Sequence, residues 1–226
     1  MRLPKLTWST FLGSSAYDAS SGIAVDGAGS IYVVGTSAAG WGNPVYGYVG
    51  GYDAFVAKLN ASGSLTWLTF LGTSGDEFGQ GIALDASSNV YVTGKSAGSW
   101  GNPVNPHSGG FDCFVAKLNG STGALIWTTF AGSSGEDYGS GITVDILGNV
   151  YVAGTASAAW GAPIAPYSGG LDAFLAKYSG TTGGRTWHTF LGGTGTDAGV
   201  AVAIDSFGDP LLVGSSSGSW GNPLFS

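Results

Sequence analysis

Acidic residues are the side chains here whose type and spacing come closest to chemistry. Eleven of the 14 Asp and Glu residues fall into three recurrent sets. Asp26, Asp85, Asp145 and Asp205 open short turns; Asp53, Asp112 and Asp172 follow a Gly-Gly-x run; Asp18, Glu77, Asp137 and Asp197 lie in or beside Gly-rich segments such as Gly72–Gly79. A catalytic carboxylate pair needs two different environments, so that one acid stays protonated while the other ionises. Residues that recur at a fixed period meet near-equivalent environments, which favours a structural role for all three sets. An Asp at the head of a turn can accept the backbone N–H groups of that turn. Calcium is the competing use of such turns, but each offers only one or two side-chain oxygens where the ion takes six to eight ligands. No metal and no cofactor are therefore expected.

The second set carries a lysine five positions on, as Lys58, Lys117 and Lys177. Five is odd, so Asp and Lys point to opposite faces of one strand. Each lysine is expected to pack its stem between sheets and to reach an acid of another strand or of the adjacent sheet. His107 beside Ser108 invites comparison with a nucleophile and its base, but sequence adjacency is no triad and no third member is apparent. His188 stands where Ser9, Leu68 and Thr128 stand in other copies, and is expected at the surface of an outer strand. Cys113, at a position otherwise filled by Ala54 and Ala173, reads as a small core residue.

The elements that must position these residues form an array. Trp8, Trp67, Trp127 and Trp187 are spaced by 59, 60 and 60 residues, and the Asp26 set repeats those spacings. A period near 60 means propeller blades or a solenoid. Each period contains four short strands. Gly81–Asp85 and Val90–Gly94 flank a tight turn, a long loop holding Trp100-Gly-Asn-Pro follows, and Asp112–Leu118 and Leu125–Phe130 complete the set. Bulky apolar residues occur at both parities, as in Phe114, Val115 and Leu118, so both faces of each sheet are buried. The expected fold is an all-β propeller of four-stranded blades, one array over 1–226. Its units run over about 1–13, 14–72, 73–132, 133–192 and 193–226. The first unit supplies one outer strand and the last supplies two, giving 15 strands, or about 3.75 blades, in a partial or oligomer-completed ring.

Composition agrees. Glycine numbers 42 of 226 residues, charged residues make 9% and hydrophobic residues 43%, which excludes disorder and points to a turn-rich β-protein. A net charge of −7 argues against nucleic acid as partner, and no apolar run is long enough to insert in a membrane. The opening Met1–Leu6 lacks the apolar region of a signal peptide.

The patterns Gly-Ile-Ala-Leu-Asp-x3-Asn-Val-Tyr-Val-x-Gly, Gly-Gly-x-Asp-x-Phe-Val-Ala-Lys-Leu-Asn and Trp-x-Thr-Phe-x-Gly resemble the bacterial β-propeller repeat called SBBP, named for seven-bladed propellers. The resemblance implies a bacterial, extracellular or cell-surface, non-catalytic module. Three functions follow as expectations. The first is an assembly module that partners itself, or the remainder of a longer propeller, through unpaired blade edges. The second is a glycan-binding rim on the loops where copies differ, using Tyr46, Tyr48, Asn105, His107 and Tyr167. The third, ranked last, is a glycoside hydrolase with Asp76, Glu136 or Asp137 as acids; the chain is expected not to be an enzyme.

Overall fold

The structure is a computed structural model and describes residues 7–221; the Met1–Leu6 segment and the Phe225-Ser226 end lie outside the described residues. Fourteen strands and no helix make up these residues. The first sheet holds β1 (Asp18–Val25), β2 (Ile31–Ser37), β3 (Asp53–Leu59) and β4 (Leu65–Leu71) in that order. The second repeats it with β5 (Glu77–Leu84), β6 (Val90–Ser96), β7 (Asp112–Leu118) and β8 (Leu125–Ala131). The third holds β9 (Asp137–Val144), β10 (Asn149–Ala156), β11 (Asp172–Ser179) and β12 (Arg185–Leu191). The fourth has only β13 (Asp197–Ile204) and β14 (Pro210–Ser216). All pairings are antiparallel.

The sheets stack face to face, with the first strand of each against the inner strands of the sheet before it: β5 on β1 to β3, β9 on β5 to β7, β13 on β9 to β11. Two apolar cores fill the spaces between successive complete sheets. One contains Val34, Val56, Trp67, Val92 and Phe114, the other Cys113, Val115, Trp127, Val152 and Phe174. Packing on both faces explains the apolar residues at both parities of β3, β7 and β11.

Close stacking requires glycine at one place in each second strand. Gly35, Gly94 and Gly154 pair with Phe55, Phe114 and Phe174. A Cβ at these glycines would stand 2.7, 2.9 and 2.6 Å from the Phe Cε1, inside any real contact. The ring therefore lies flat over bare backbone, and Trp41, Trp100 and Trp160 meet its other side edge-on at 5.3 to 5.4 Å. The Trp-Gly motif of the long loop is thus a loop anchor.

One expected strand is missing. Residues 7–12 carry the Trp-x-Thr-Phe-Leu pattern of a fourth strand but pair with nothing. A fourth strand needs the third strand of its own sheet as a hydrogen-bonding partner, and none stands beside it among the described residues. Its tryptophan is nonetheless placed as in complete sheets. Trp8 Nε1 donates to the Ala61 carbonyl at 3.2 Å, as Trp67 and Trp127 donate to Gly120 and Gly180 of the sheets that follow them.

Candidate functional site

The long loop between second and third strands and the Gly-rich loop between sheets meet along one rim. Short parallel bridges join Tyr52 to Asp76, Phe111 to Glu136 and Leu171 to Thr196. The bridges bring the second and third acidic sets together across each sheet boundary. Asp53 faces Glu77, Asp112 faces Asp137 and Asp172 faces Asp197, and these six carboxylates are buried. A Cβ on Gly72 would stand 2.7 Å from Asp53 Oδ1 and 2.5 Å from Glu77 Oε2, so the two oxygens converge over that glycine.

Each acid closes a loop. Asp53, Asp112 and Asp172 accept the backbone N–H of Val49, Ser108 and Ser168 at 2.8, 2.6 and 2.7 Å. Glu77, Asp137 and Asp197 accept those of Thr73, Ser133 and Gly193 at 2.6, 2.6 and 2.9 Å. The second oxygen of Asp53, Asp112, Asp172 and Asp197 has no partner. Burial, followed by the facing carboxylate, pushes Asp53 up to about 6. Burial also takes Asp112 to about 6, with Asp137 raising it and His107 opposing. Glu77, Asp137 and Asp172 are likewise held above their ordinary values by burial. Paired carboxylates sharing a proton are chemically capable, but here a pair recurs at three boundaries and one oxygen of each acid is spent on loop backbone. Among the described residues, no three His, Cys, Asp or Glu side chains gather as metal ligands.

The expected Asp–Lys relation is met by one lysine, Lys117, and corrected for Lys58 and Lys177. Lys58 and Lys117 donate to the carbonyls of Gly120 and Gly180, in the hairpin of the following sheet, both at 2.9 Å. Their ammonium groups also sit 4.9 Å over the rings of Tyr32 and Tyr91. Among the described residues, only Lys117 of the three has an acid within ion-pair distance, Asp85 at 3.9 Å. A backbone carbonyl delivered by the next sheet is the better-placed acceptor. Lys177 keeps its tyrosine, Tyr151, but has no such hairpin to reach among the described residues.

The first acidic set stands at the turns. Asp26 accepts N–H from Ala28 and Ser30, Asp85 from Ser87 and Asn89, Asp145 from Leu147 and Asn149, and Asp205 from Phe207 and Asp209. Burial works against ionisation of Asp26, Asp85 and Asp145, yet these hydrogen bonds outweigh it and leave them below their ordinary values.

The loop residues expected to face a ligand divide into two kinds. Tyr48 and Tyr167 donate their hydroxyls to carbonyls of their own loops, Ala38 and Gly51 for one, Ser157 and Gly170 for the other. His107 takes the same place, with Nε2 3.1 Å from the Ser96 carbonyl. All three set a ring edge against the fourth-strand phenylalanine, Phe70, Phe130 or Phe190. Different residue types thus fill one structural position, which made it look variable. Asn105 donates to Thr129. Tyr46 alone presents a half-exposed ring. It borders a cleft of about 510 Å³ between the first two sheets, with Phe70, Trp100, Asn102, Ile126 and Thr128.

His188 is corrected from surface to interior. It is buried, stacked on Trp160 at 4.1 Å, and its Nε2 lies 2.8 Å from the Trp160 carbonyl, while Arg185 covers the same indole. Outer-strand position in the sequence did not reveal that the long loop folds over that strand. The carboxylate pairing was also missed, although the separations 53 to 77, 112 to 137 and 172 to 197 carried the signal.

Stacked four-stranded meanders, each packed on the last through its first strand, define a β-propeller array whose ring is not closed by the described residues. The family model SBBP, described as a beta-propeller repeat, matches the chain three times, over residues 7–40, 66–99 and 126–159. No curated protein matches the sequence.

Proposed function

We propose that the chain is a non-catalytic assembly module that associates with a second copy of itself, head to tail, through its two open sheet faces. The observation that carries this is the fate of equivalent residues. Val213 on β14 is 62% exposed, whereas Val34, Thr93 and Ala153 at the same position are buried under the next sheet. Ile23 on β1 is 67% exposed, whereas Ile142 packs into the core against the sheet before it. The two open faces are thus the two halves of an interface that the chain already forms three times internally. Such a contact is heterologous, so it closes into a ring or grows, according to the rotation per sheet. The extracellular setting implied by the resemblance suits such an assembly.

Light scattering after size exclusion, over a concentration series, tests the proposal. A mass of two or more chains, reduced to 22.6 kDa by Ile23→Lys, is expected. A monomer at every concentration overturns it.

Tyr46 supports a second reading, carbohydrate binding. Its free ring, beside the Asn102 amide in a cleft of about 510 Å³, offers an apolar platform with a polar neighbour at a volume suited to a small saccharide. A glycan array on the wild type and on Tyr46→Ala decides it: binding lost in the variant supports the reading, and no binding by the wild type ends it.

A further inference from the structure

The fourth sheet leaves a second kind of opening, distinct from its face. Beyond the β14 edge, where complete sheets place their third strand, lies a cleft of about 450 Å³. One wall is Ala173, Leu175 and Leu191 of the third sheet; the other is Leu212, Gly214 and Trp220 of the fourth. The chain shows twice what occupies the equivalent space, with Phe114 between the first two sheets and Phe174 between the second and third. At the boundary one step earlier, Phe174 of β11 packs in the same core as Cys113, Val115 and Ala131, the counterparts of Ala173, Leu175 and Leu191. That phenylalanine pairs with Gly154, the counterpart of Gly214, and lies against Trp160, the counterpart of Trp220. Trp160 is 6% exposed and Trp220 40%. Gly214 also clears the carbonyl of Ala198, so the glycine alone does not identify the occupant. The apolar cleft and the uncovered indole do.

We infer that the β14 edge accepts one extended strand from outside the described residues, bearing the third-strand pattern Asp-Ala-Phe-Val-Ala-Lys-Leu, with its phenylalanine seated between Trp220 and Leu175. The strand adds to the sheet edge by backbone hydrogen bonds, and the aromatic pocket sets its register. The pairing of β2 with β3 fixes the alignment: phenylalanine opposite Gly214, lysine opposite Leu211, aspartate opposite Ser216. A second wall for this strand follows from the head-to-tail association proposed above, and in that respect the inference rests on it. Residues 7–12 of the second copy would then stand at the fourth-strand position, leaving a gap one strand wide.

A labelled peptide of residues 50–60, which carries this pattern, tests the inference by fluorescence anisotropy against the full chain. Saturable binding is expected, with at least a tenfold loss when the peptide carries Phe55→Ala. A similar loss is expected with Trp220→Ala in the chain, whose exposed side chain can be removed without opening a core. Absence of binding, or equal binding by the Phe55→Ala peptide, overturns the inference. Titration of the wild-type chain, alongside its mass by light scattering, separates the two proposals. Peptide binding to a wild-type chain that stays monomeric at every concentration upholds the strand site and refutes the head-to-tail face. Self-association without peptide binding does the reverse.

Discussion

Replacing Asp53 with Asn should stabilise the protein at neutral pH and leave it unchanged in acid. Asn keeps an oxygen for the Val49 N–H and turns an amide toward Glu77, where the wild type has an unpartnered carboxylate oxygen facing a second acid. In the folded chain Asp53 titrates near 6, against a reference of 3.8. The folded state therefore holds more protons between these values, and stability falls as pH rises through that window. At about 1.36 kcal/mol per pH unit, the difference of about two units costs the wild type about 3 kcal/mol above pH 6. For a chain of this length that is about 6–12 °C in melting temperature. Thermal unfolding of both proteins at several pH values between 4 and 7.5 is the assay. The curves should coincide near pH 4, separate on rising through pH 6 and then run parallel with Asp53→Asn above. A variant less stable at pH 7.5, or a difference that does not change with pH, would refute the reasoning.

Other perturbations follow from the same geometry. Gly94→Ala drives a Cβ to within 2.9 Å of Phe114 and onto the Phe78 carbonyl, and should cost about 3 kcal/mol in denaturant unfolding. Lys117→Met removes the bond to Gly180 and the Asp85 ion pair, while Trp127 still serves that carbonyl. A loss of about 1–2 kcal/mol is expected in the same assay. Burial lowers the value of His188, so the imidazole stays neutral in the folded chain at pH values where the unfolded one is charged. Stability held by that difference is lost as pH falls below about 6.5, and His188→Gln should flatten this branch of the pH profile.

The fold was legible because its causes are local and repeated. The 60-residue period, the two tight hairpins and apolar residues at both parities specify four-stranded sheets buried on both faces. What stayed hidden depends on contacts between sheets. Parity showed that Lys58 points away from Asp53, but not that the Gly120 carbonyl comes within its reach from the next sheet. Residues 7–12 have the sequence of a strand, and a strand is defined by its neighbour, which no pattern within those residues can supply. Tyr48, His107 and Tyr167 differ in type, so sequence comparison among copies marked them as variable. Their shared position over the fourth-strand phenylalanine emerges only once the loop is folded. Tyr46 is the part of that rim whose side chain is left free.

The central claim is that the open faces of the first and fourth sheets meet between copies, and disulfide trapping tests it most directly. Inside the chain, a Cβ on Gly79 would stand 2.7 Å from the Val34 side chain across a sheet boundary. Ser20 and Val213 occupy those two positions on the open faces. A chain carrying Ser20→Cys and Val213→Cys should therefore cross-link between copies under mild oxidation. The native Cys113 is buried, with its thiol pushed up to about 12, and does not compete. Covalent dimers or a ladder on a non-reducing gel, absent from either single variant, is the result this account predicts. A double variant that stays monomeric, with both new thiols open to alkylation, would contradict it.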